Sequence, residues 1–267
     1  MAAEREEEPT MKVYLLDNGT LMLDKSLATW NHNQGIEFRF PVYAIFVDHP
    51  DGKIMIDTGF DKEWVERKLP FEQPRQTEQQ TIRGQLAQIG VQPEEIDIVV
   101  NSHLHFDHCS NNKLFPQATF IFSKSELRHA YVPDPWERLG YDPDLVVMPG
   151  MKTELLEIGD YEYEVVPGIT LIHTPGHANG HLSVVVRPGG GHQPMVFPID
   201  VAYTRHNLEH KVLMGLHSDP EDLWRSMVKI ENIARKIGGK IFYSHDPEEY
   251  ETYTLAPGHY GQPVEIA

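Results

Sequence analysis

Between His103 and His108 the chain runs His-Leu-His-Phe-Asp-His, three imidazoles and one carboxylate in six positions. Further along, single residues of the same kinds follow apolar runs: His177 after GITLIHTPG, Asp200 after PMVFPI and His245 after KIFYS. Imidazole nitrogen and carboxylate oxygen, without a thiolate set, suit Zn, Co, Mn or Fe over a structural cysteine site, with zinc first among them. Histidines two apart in an extended segment project to one face, so His103 and His105 can reach a common ion. Asp107 and His108 fall after the chain turns and point to a second position.

Seven ligands are too many for one tetrahedral ion. They suit two divalent ions that share a carboxylate and a water, and such a water is acidified enough to act as hydroxide near neutral pH. The chain has 15 histidines, so a lone one carries little weight. The H-x-H-x-D-H spacing, with His177, Asp200 and His245 at later strand ends, carries the reading. His181 is expected to order a loop and not to ligate. Cys109, directly after the motif, is expected to be a small buried residue and not a nucleophile.

The elements that must position these residues follow from pattern. Residues 40–49 and 51–59 read as a hairpin joined by Pro50-Asp51-Gly52. Residues 61–76 read as a loop or lid, and 77–90 as a helix with Gly90 beyond its end. Residues 96–102 form a short buried strand leading into the histidines. Residues 118–123 form another, before a helix that starts at Lys124, and 132–153 read as a second long loop. Strands follow at 168–177, 181–187 and 194–200. The helix over 220–238 has Asp219 as its cap, Pro220 at its first position and an apolar stripe of Leu223, Met227, Ile230, Ala234 and Ile237. A last strand spans 240–246. Strands with helices between them predict an α/β fold with sheets inside helical layers, as one domain over 11–267 after a disordered acidic tail at 1–10.

Composition narrows the partners. The chain of 267 residues carries a formal charge of −17, which disfavours phosphate backbones and anionic lipid surfaces. Neither nucleic acid nor a membrane is an expected partner. One cysteine excludes an internal disulfide, and the first residues lack the pattern of a secretory signal, so a cytoplasmic address is expected.

SHLHFDH at 102–108 resembles the signature of the metallo-β-lactamase superfamily, with IDTG before it, TPGH in the middle, then PIDVAYT and YSHD. The order is most similar to the N-acyl-homoserine lactone lactonases. KVYLLD, FPVY, PFE…QTI and the Cys after HFDH resemble 4-pyridoxolactonases. At Cys109-Ser110-Asn111 the chain departs from the Ala-Gly-Gly common in lactonases. The resemblance implies an αβ/βα sandwich, two β-sheets between helical layers, with His103, His105 and His177 on the first ion, Asp107, His108 and His245 on the second, and Asp200 bridging. It implies a small lactone as substrate, opened by hydroxide attack on its carbonyl, and a homodimer, as in many relatives. Asp107 and Tyr203 are its catalytic candidates, Tyr203 donating to the carbonyl oxygen or orienting the substrate.

An acyl chain would need an apolar groove, for which Trp30, Trp64, Phe71, Phe106 and Trp136 are candidates. A pyridine lactone would call for a polar or cationic clamp such as Arg138 or Arg205. A glyoxalase II would need a helical region that the short stretch after His245 does not supply. A nuclease would want basic residues, and a β-lactamase an export signal. A scaffold that had lost turnover would show broken ligands, and all seven are intact.

Overall fold

The structure, a computed structural model, describes residues 10–267 apart from 147, 158, 160, 161 and 255–261. The expected acidic tail lies outside the described residues except for Thr10. Twelve strands are present among the described residues: β1 (Lys12–Asp24), β2 (Glu37–His49), β3 (Gly52–Ile56), β4 (Ile98–Val100), β5 (Thr119–Ser123), β6 (Lys152–Leu156), β7 (Glu162–Val166), β8 (Ile169–His173), β9 (Leu182–Val186), β10 (Met195–Ile199), β11 (Lys240–Tyr243) and β12 (Val264–Glu265). The helices are α1 (Lys62–Lys68), α2 (Ile82–Gln88), α3 (Phe106–Cys109), α4 (Lys124–Tyr131), α5 (Pro143–Val146), α6 (Arg205–His210), α7 (Pro220–Ile237) and α8 (Pro247–Thr254).

The strands make a seven-stranded sheet, ordered β12-β1-β2-β3-β4-β5-β6, and a five-stranded sheet, ordered β11-β10-β9-β8-β7. Side-chain alternation builds the layers. Ile45 and Val47 of β2 face Leu171, Val184 and Phe197 of the other sheet, forming the core between the two. Ala44 and Phe46, one residue out of phase, face away and pack with Ile82 and Leu86 of α2. On the far side, Leu223, Met227 and Ile230 of α7 cover Val185 and Val196. The result is the expected αβ/βα sandwich.

The hairpin of β2 and β3 is in register at Ile45 with Ile56, and α7 is capped by Asp219 and stopped by Gly238 at φ +65°. Two expected loops carry structure instead. Within 61–76, Asp61 accepts a hydrogen bond from the Trp64 amide at 3.1 Å and starts α1, and a 3₁₀ turn follows at Pro70–Glu72. Only Trp64 and Val65 of α1 are buried, too short a run to leave a period. Within 132–153 the chain forms α5 and begins β6. Strands β1, β6 and β7 were not legible either. In β1 the Asp17-Asn18-Gly19 bulge, where Gly19 has φ +94°, breaks the alternation.

Strands β3, β4, β8, β10 and β11 all end at one edge of the sandwich. Asp57, His103, His177, Asp200 and His245 follow those ends.

Candidate metal centre

All seven sequence-predicted ligands meet at that edge. His103 Nε2 lies 3.1 Å from His105 Nδ1, and His105 Nδ1 lies 3.0 Å from His177 Nε2. Asp200 Oδ2 completes this set, 3.3 Å from His177 Nε2 and 3.7 Å from His103 Nε2. In the second set, His108 Nε2 is 3.5 Å from Asp107 Oδ2, and His245 Nε2 is 3.7 Å from that oxygen. Asp200 faces this set as well, with Oδ1 at 3.3 Å from His245 Nε2 and Oδ2 at 3.4 Å from His108 Nε2.

These distances test whether the residues fit cations. Nitrogen and oxygen ligands about 2.1 Å from a tetrahedral ion stand about 3.4 Å from one another. Both sets cluster around that spacing. His108 Nε2 and Asp200 Oδ1 are buried with no hydrogen-bond partner among the described residues, as atoms that face a cation would be. Three carboxylates, Asp57, Asp107 and Asp200, converge on His108. Burial alone would lower its pKa, yet they raise it well above the ordinary value, so the site's field calls for positive charge. The residues therefore fit two divalent ions.

The ring orientations are fixed from behind. His177 Nδ1–H donates to the Leu216 carbonyl at 2.9 Å, and His245 Nδ1–H donates to the Pro41 carbonyl at 2.9 Å. A carbonyl can only accept, so each Nε2 presents a lone pair to the centre. His108 Nδ1–H donates to Asp57 Oδ2 at 2.8 Å. Ser102 Oγ donates to the same oxygen at 2.8 Å and is therefore free to accept from His103 Nδ1–H at 3.0 Å. Burial lowers the pKa of His103 well below its usual value and pushes that of His105 down to about 3, keeping both rings neutral as ligation requires.

Two residues at this edge carry backbone strain. Asp57 has φ +59° and Ile199, just before Asp200, has φ +52°. Such conformations cost about 1–3 kcal/mol each and persist where the surroundings over-determine them. His181 does not ligate. It accepts the Asp200 amide N–H on Nε2 at 3.1 Å and donates from Nδ1 to Thr174 Oγ1 at 2.9 Å, which holds the backbone of Asp200 in place.

Asp57 and Glu126 are positioning residues that the sequence reading did not single out. In the sequence Asp57 stands in IDTG, a flank of the histidine motif. The Glu126 carboxylate, fully buried, accepts from the Leu104 and Gly180 amides at 3.2 and 2.9 Å and from Tyr141 Oη at 2.9 Å. It thereby ties the peptide between His103 and His105 to the loop after His177. Tyr141 packs on the His105 ring, and a Cβ on Gly140 would stand 2.7 Å from that ring. No local sequence signal marks a single Glu on a helix as such a tie.

A cavity of about 300 Å³ opens onto the ligands. Phe71, Phe106, Trp136, Leu139 and Leu216 line it, and Tyr203 lies in its floor. Tyr203 stands edge-on to His177 and His245, whose ring centroids are 5.8 and 4.9 Å away. Burial, with Asp200 and Asp107 nearby, holds its pKa well above the ordinary value, so it remains a donor. Of the other aromatic candidates, Trp64 stacks on Phe106 at 5.1 Å behind the wall, and Trp30 lies edge-on to His217 outside it. Neither Arg138 nor Arg205 lines the cavity, and no described lysine or arginine does. Arg205 is paired with Glu249 through Nε at 3.0 Å. At the unusual Cys109-Ser110-Asn111 stretch, Asn111 Nδ2 donates to the Thr58 and Phe60 carbonyls and Ser110 Oγ to Phe106, so the polar groups brace the loop. Cys109 is buried, with a thiol pKa pushed up by that burial, and has no nucleophile's setting.

Comparison with known proteins shows the family and its relatives. Residues 38–245 match the model of the family described as the metallo-beta-lactamase superfamily. An N-acyl homoserine lactonase, AttM, of Rhizobium johnstonii is 32% identical over 260 residues, covering 94% of this chain and 98% of its own. The N-acyl homoserine lactonase AiiA of Bacillus thuringiensis subsp. kurstaki is 29% identical over 254 residues, covering 92% and 97%. Among solved structures, an N-acyl homoserine lactone hydrolase with the product N-hexanoyl-L-homoserine bound at its catalytic metal center superposes with a TM-score of 0.81 at 28% identity, covering 92% of this chain and 96% of that one.

Proposed function

The chain belongs to the metallo-beta-lactamase superfamily, and from that premise we propose that it opens the lactone ring of N-acyl homoserine lactones, the reaction of quorum quenching. It is a metal-dependent lactone hydrolase. The observation that carries the choice of substrate is the cavity wall: Phe71, Phe106, Trp136, Leu139 and Leu216 dominate it, beside Glu72 and Glu137, and no described lysine or arginine lines it. Such a wall suits a neutral head with an acyl chain.

His103, His105 and His177 would hold one ion, Asp107, His108 and His245 the other, with Asp200 shared. Zinc is the ion proposed, since nitrogen and oxygen ligands at this spacing suit it. Two such ions, when bound, supply an acidified water for attack and polarise the lactone carbonyl. The chain's own residues do the rest. Tyr203 Oη makes no hydrogen bond to any described residue and donates to the carbonyl oxygen as negative charge grows there. Phe71, Phe106 and Trp136 exclude water and hold the chain. Asp107, besides ligating, would accept the proton released by the attacking water and pass it to the ring oxygen as the bond between that oxygen and the carbonyl carbon breaks, giving the ring-opened hydroxy acid.

The same proposal includes one hydrolase unit over 11–267, a cytoplasmic address, a homodimer, and neither nucleic acid nor membrane as partner. No described helix is long and apolar enough to cross a membrane. The alternative reading, a 4-pyridoxolactonase, needs a polar clamp, and neither candidate arginine reaches the cavity.

The test is acid release by pH-stat from a long-chain N-acyl homoserine lactone and from 4-pyridoxolactone, with protein loaded with zinc. A higher kcat/KM on the acyl lactone is expected. Preference for the pyridine lactone would replace this reading with the alternative, and turnover of neither would end both.

A further inference from the structure

Two carboxylates outside the ligand sets line the cavity, Glu72 and Glu137. Glu137 is engaged, with His129 Nε2 at 2.7 Å. Glu72 is not. It is only 7% exposed, yet its side chain makes no hydrogen bond or ion pair to any described residue. Once a ligand fills the cavity and removes its water, an unpartnered carboxyl there carries a desolvation penalty. The surroundings supply no partner: Phe71 precedes it, and burial with Asp107 nearby raises its pKa to about 8, leaving near neutral pH a carboxyl whose carbonyl oxygen can still accept.

Nor is Glu72 held there loosely. It ends the 3₁₀ turn at Pro70–Glu72, whose proline fixes the first position, and Gln73 follows in the left-handed region at φ +43°. Upstream, the Leu69 amide closes α1 on the Val65 carbonyl at 2.8 Å. Downstream, Arg75 and Thr20 exchange backbone hydrogen bonds at 2.9 and 2.8 Å, and Arg39 Nη1 donates to the Gln73 carbonyl at 3.1 Å. An acceptor pinned in an apolar wall, without a protein partner, is built for a donor that arrives with the ligand.

We infer that Glu72 is a specificity-determining residue: it accepts a hydrogen bond from a donor on the substrate close to the lactone ring, the amide N–H of an N-acyl amino lactone. This rests on the lactonase reading above and deepens it. An N-acyl homoserine lactone carries its N–H on the carbon beside the lactone carbonyl. An alkyl γ-lactone of the same length carries none. A site built to bond a substrate N–H rejects the analogue lacking it, because the buried acceptor is then stranded.

The experiment uses wild type, Glu72→Gln and Glu72→Met, all loaded with zinc. Glutamine keeps an acceptor oxygen, while methionine keeps volume without one. Turnover of an N-acyl homoserine lactone and of an alkyl γ-lactone of equal length is measured. Calorimetric binding of the two ring-opened products runs alongside it. The expected result is a fall of about tenfold or more in the ratio of the two kcat/KM values for Glu72→Met, seen mostly in KM, with Glu72→Gln retaining most of the ratio. Product binding should lose the same preference. An unchanged ratio, or a loss of kcat shared by both substrates, overturns the inference. Wild type that binds the amide product no better than the other also overturns it. Wild-type turnover of neither lactone removes the lactonase reading, and the binding preference then still decides the role of Glu72.

Discussion

Asp57 Oδ2 receives the Nδ1 proton of His108 at 2.8 Å, while its Oδ1 takes the Ser102 amide at 2.7 Å. One carboxylate thus sets the tautomer of a ligand in the second set and, through Ser102 Oγ, of His103 in the first. Replacement of such an outer partner typically lowers metal affinity about 10–100-fold. Asp57→Asn should show that loss in a competition titration against a chelator. Full affinity in the variant would mean that another group fixes the His108 ring.

Glu126 satisfies three donors from three segments. In Glu126→Gln the amide NH₂ must face at least one of them, so a buried donor loses its partner at a cost of about 1–3 kcal/mol. Because two of the donors border ligand histidines, the visible spectrum of the cobalt-substituted protein should shift as well. A lower Tm with an unchanged cobalt spectrum would make Glu126 a tie of the fold alone.

Tyr203→Phe removes the donor aimed at the carbonyl oxygen but keeps the ring between His177 and His245. If the hydrogen bond forms mainly in the transition state, kcat should fall by about 10² while zinc content and KM stay close to wild type. Unaltered kcat would take Tyr203 out of the reaction.

Much of the site was legible because a metal centre uses few residue types at strand ends, and strand ends leave a mark: IDIVV, GITLIHT, PMVFPI and KIFYS are dense apolar runs broken by the ligand. What orients the ligands was less legible. Asp57 sits at a strained turn and Glu126 on an ordinary helix, and their partners lie 51 and 54 residues away in His108 and Gly180. Of the fold, α7 declares itself through a cap, a proline and a stripe. The helix α1 buries only two side chains, and β6 is exposed at four of five positions, so neither leaves a periodic signal.

Trp136 and Leu139 stand at the mouth of the cavity, 69% and 63% exposed, on the stretch between α4 and α5. A long acyl chain would cover them, and a short one would not reach. Each buried methylene contributes about 0.8 kcal/mol. Trp136→Ala should therefore raise KM several-fold for a dodecanoyl lactone and little for a butanoyl one. Equal effects on both chains would place the acyl path elsewhere.

Tyr43 gives the fold an alkaline limit set first by its burial. Its ring is buried between the sheets, stacked on Tyr250 at 5.7 Å, and its hydroxyl donates to the Tyr243 carbonyl at 3.0 Å. Burial raises its pKa well above 10.0, with the nearby negative groups adding to it. The folded state therefore holds this proton more tightly than the unfolded chain. Its stabilising contribution is fully present below the unfolded value of 10.0 and is lost as pH rises from there towards the folded value. Tyr250, raised for the same first reason, adds to the slope. Thermal melts should hold steady up to about pH 9 and then fall, and the part of the tyrosinate absorbance that Tyr43→Phe removes should appear together with unfolding. In Tyr43→Phe the fall should be shallower, although the variant begins lower for want of the buried hydrogen bond. If that part formed well before the melt, with secondary structure intact, water would reach this ring in the folded protein.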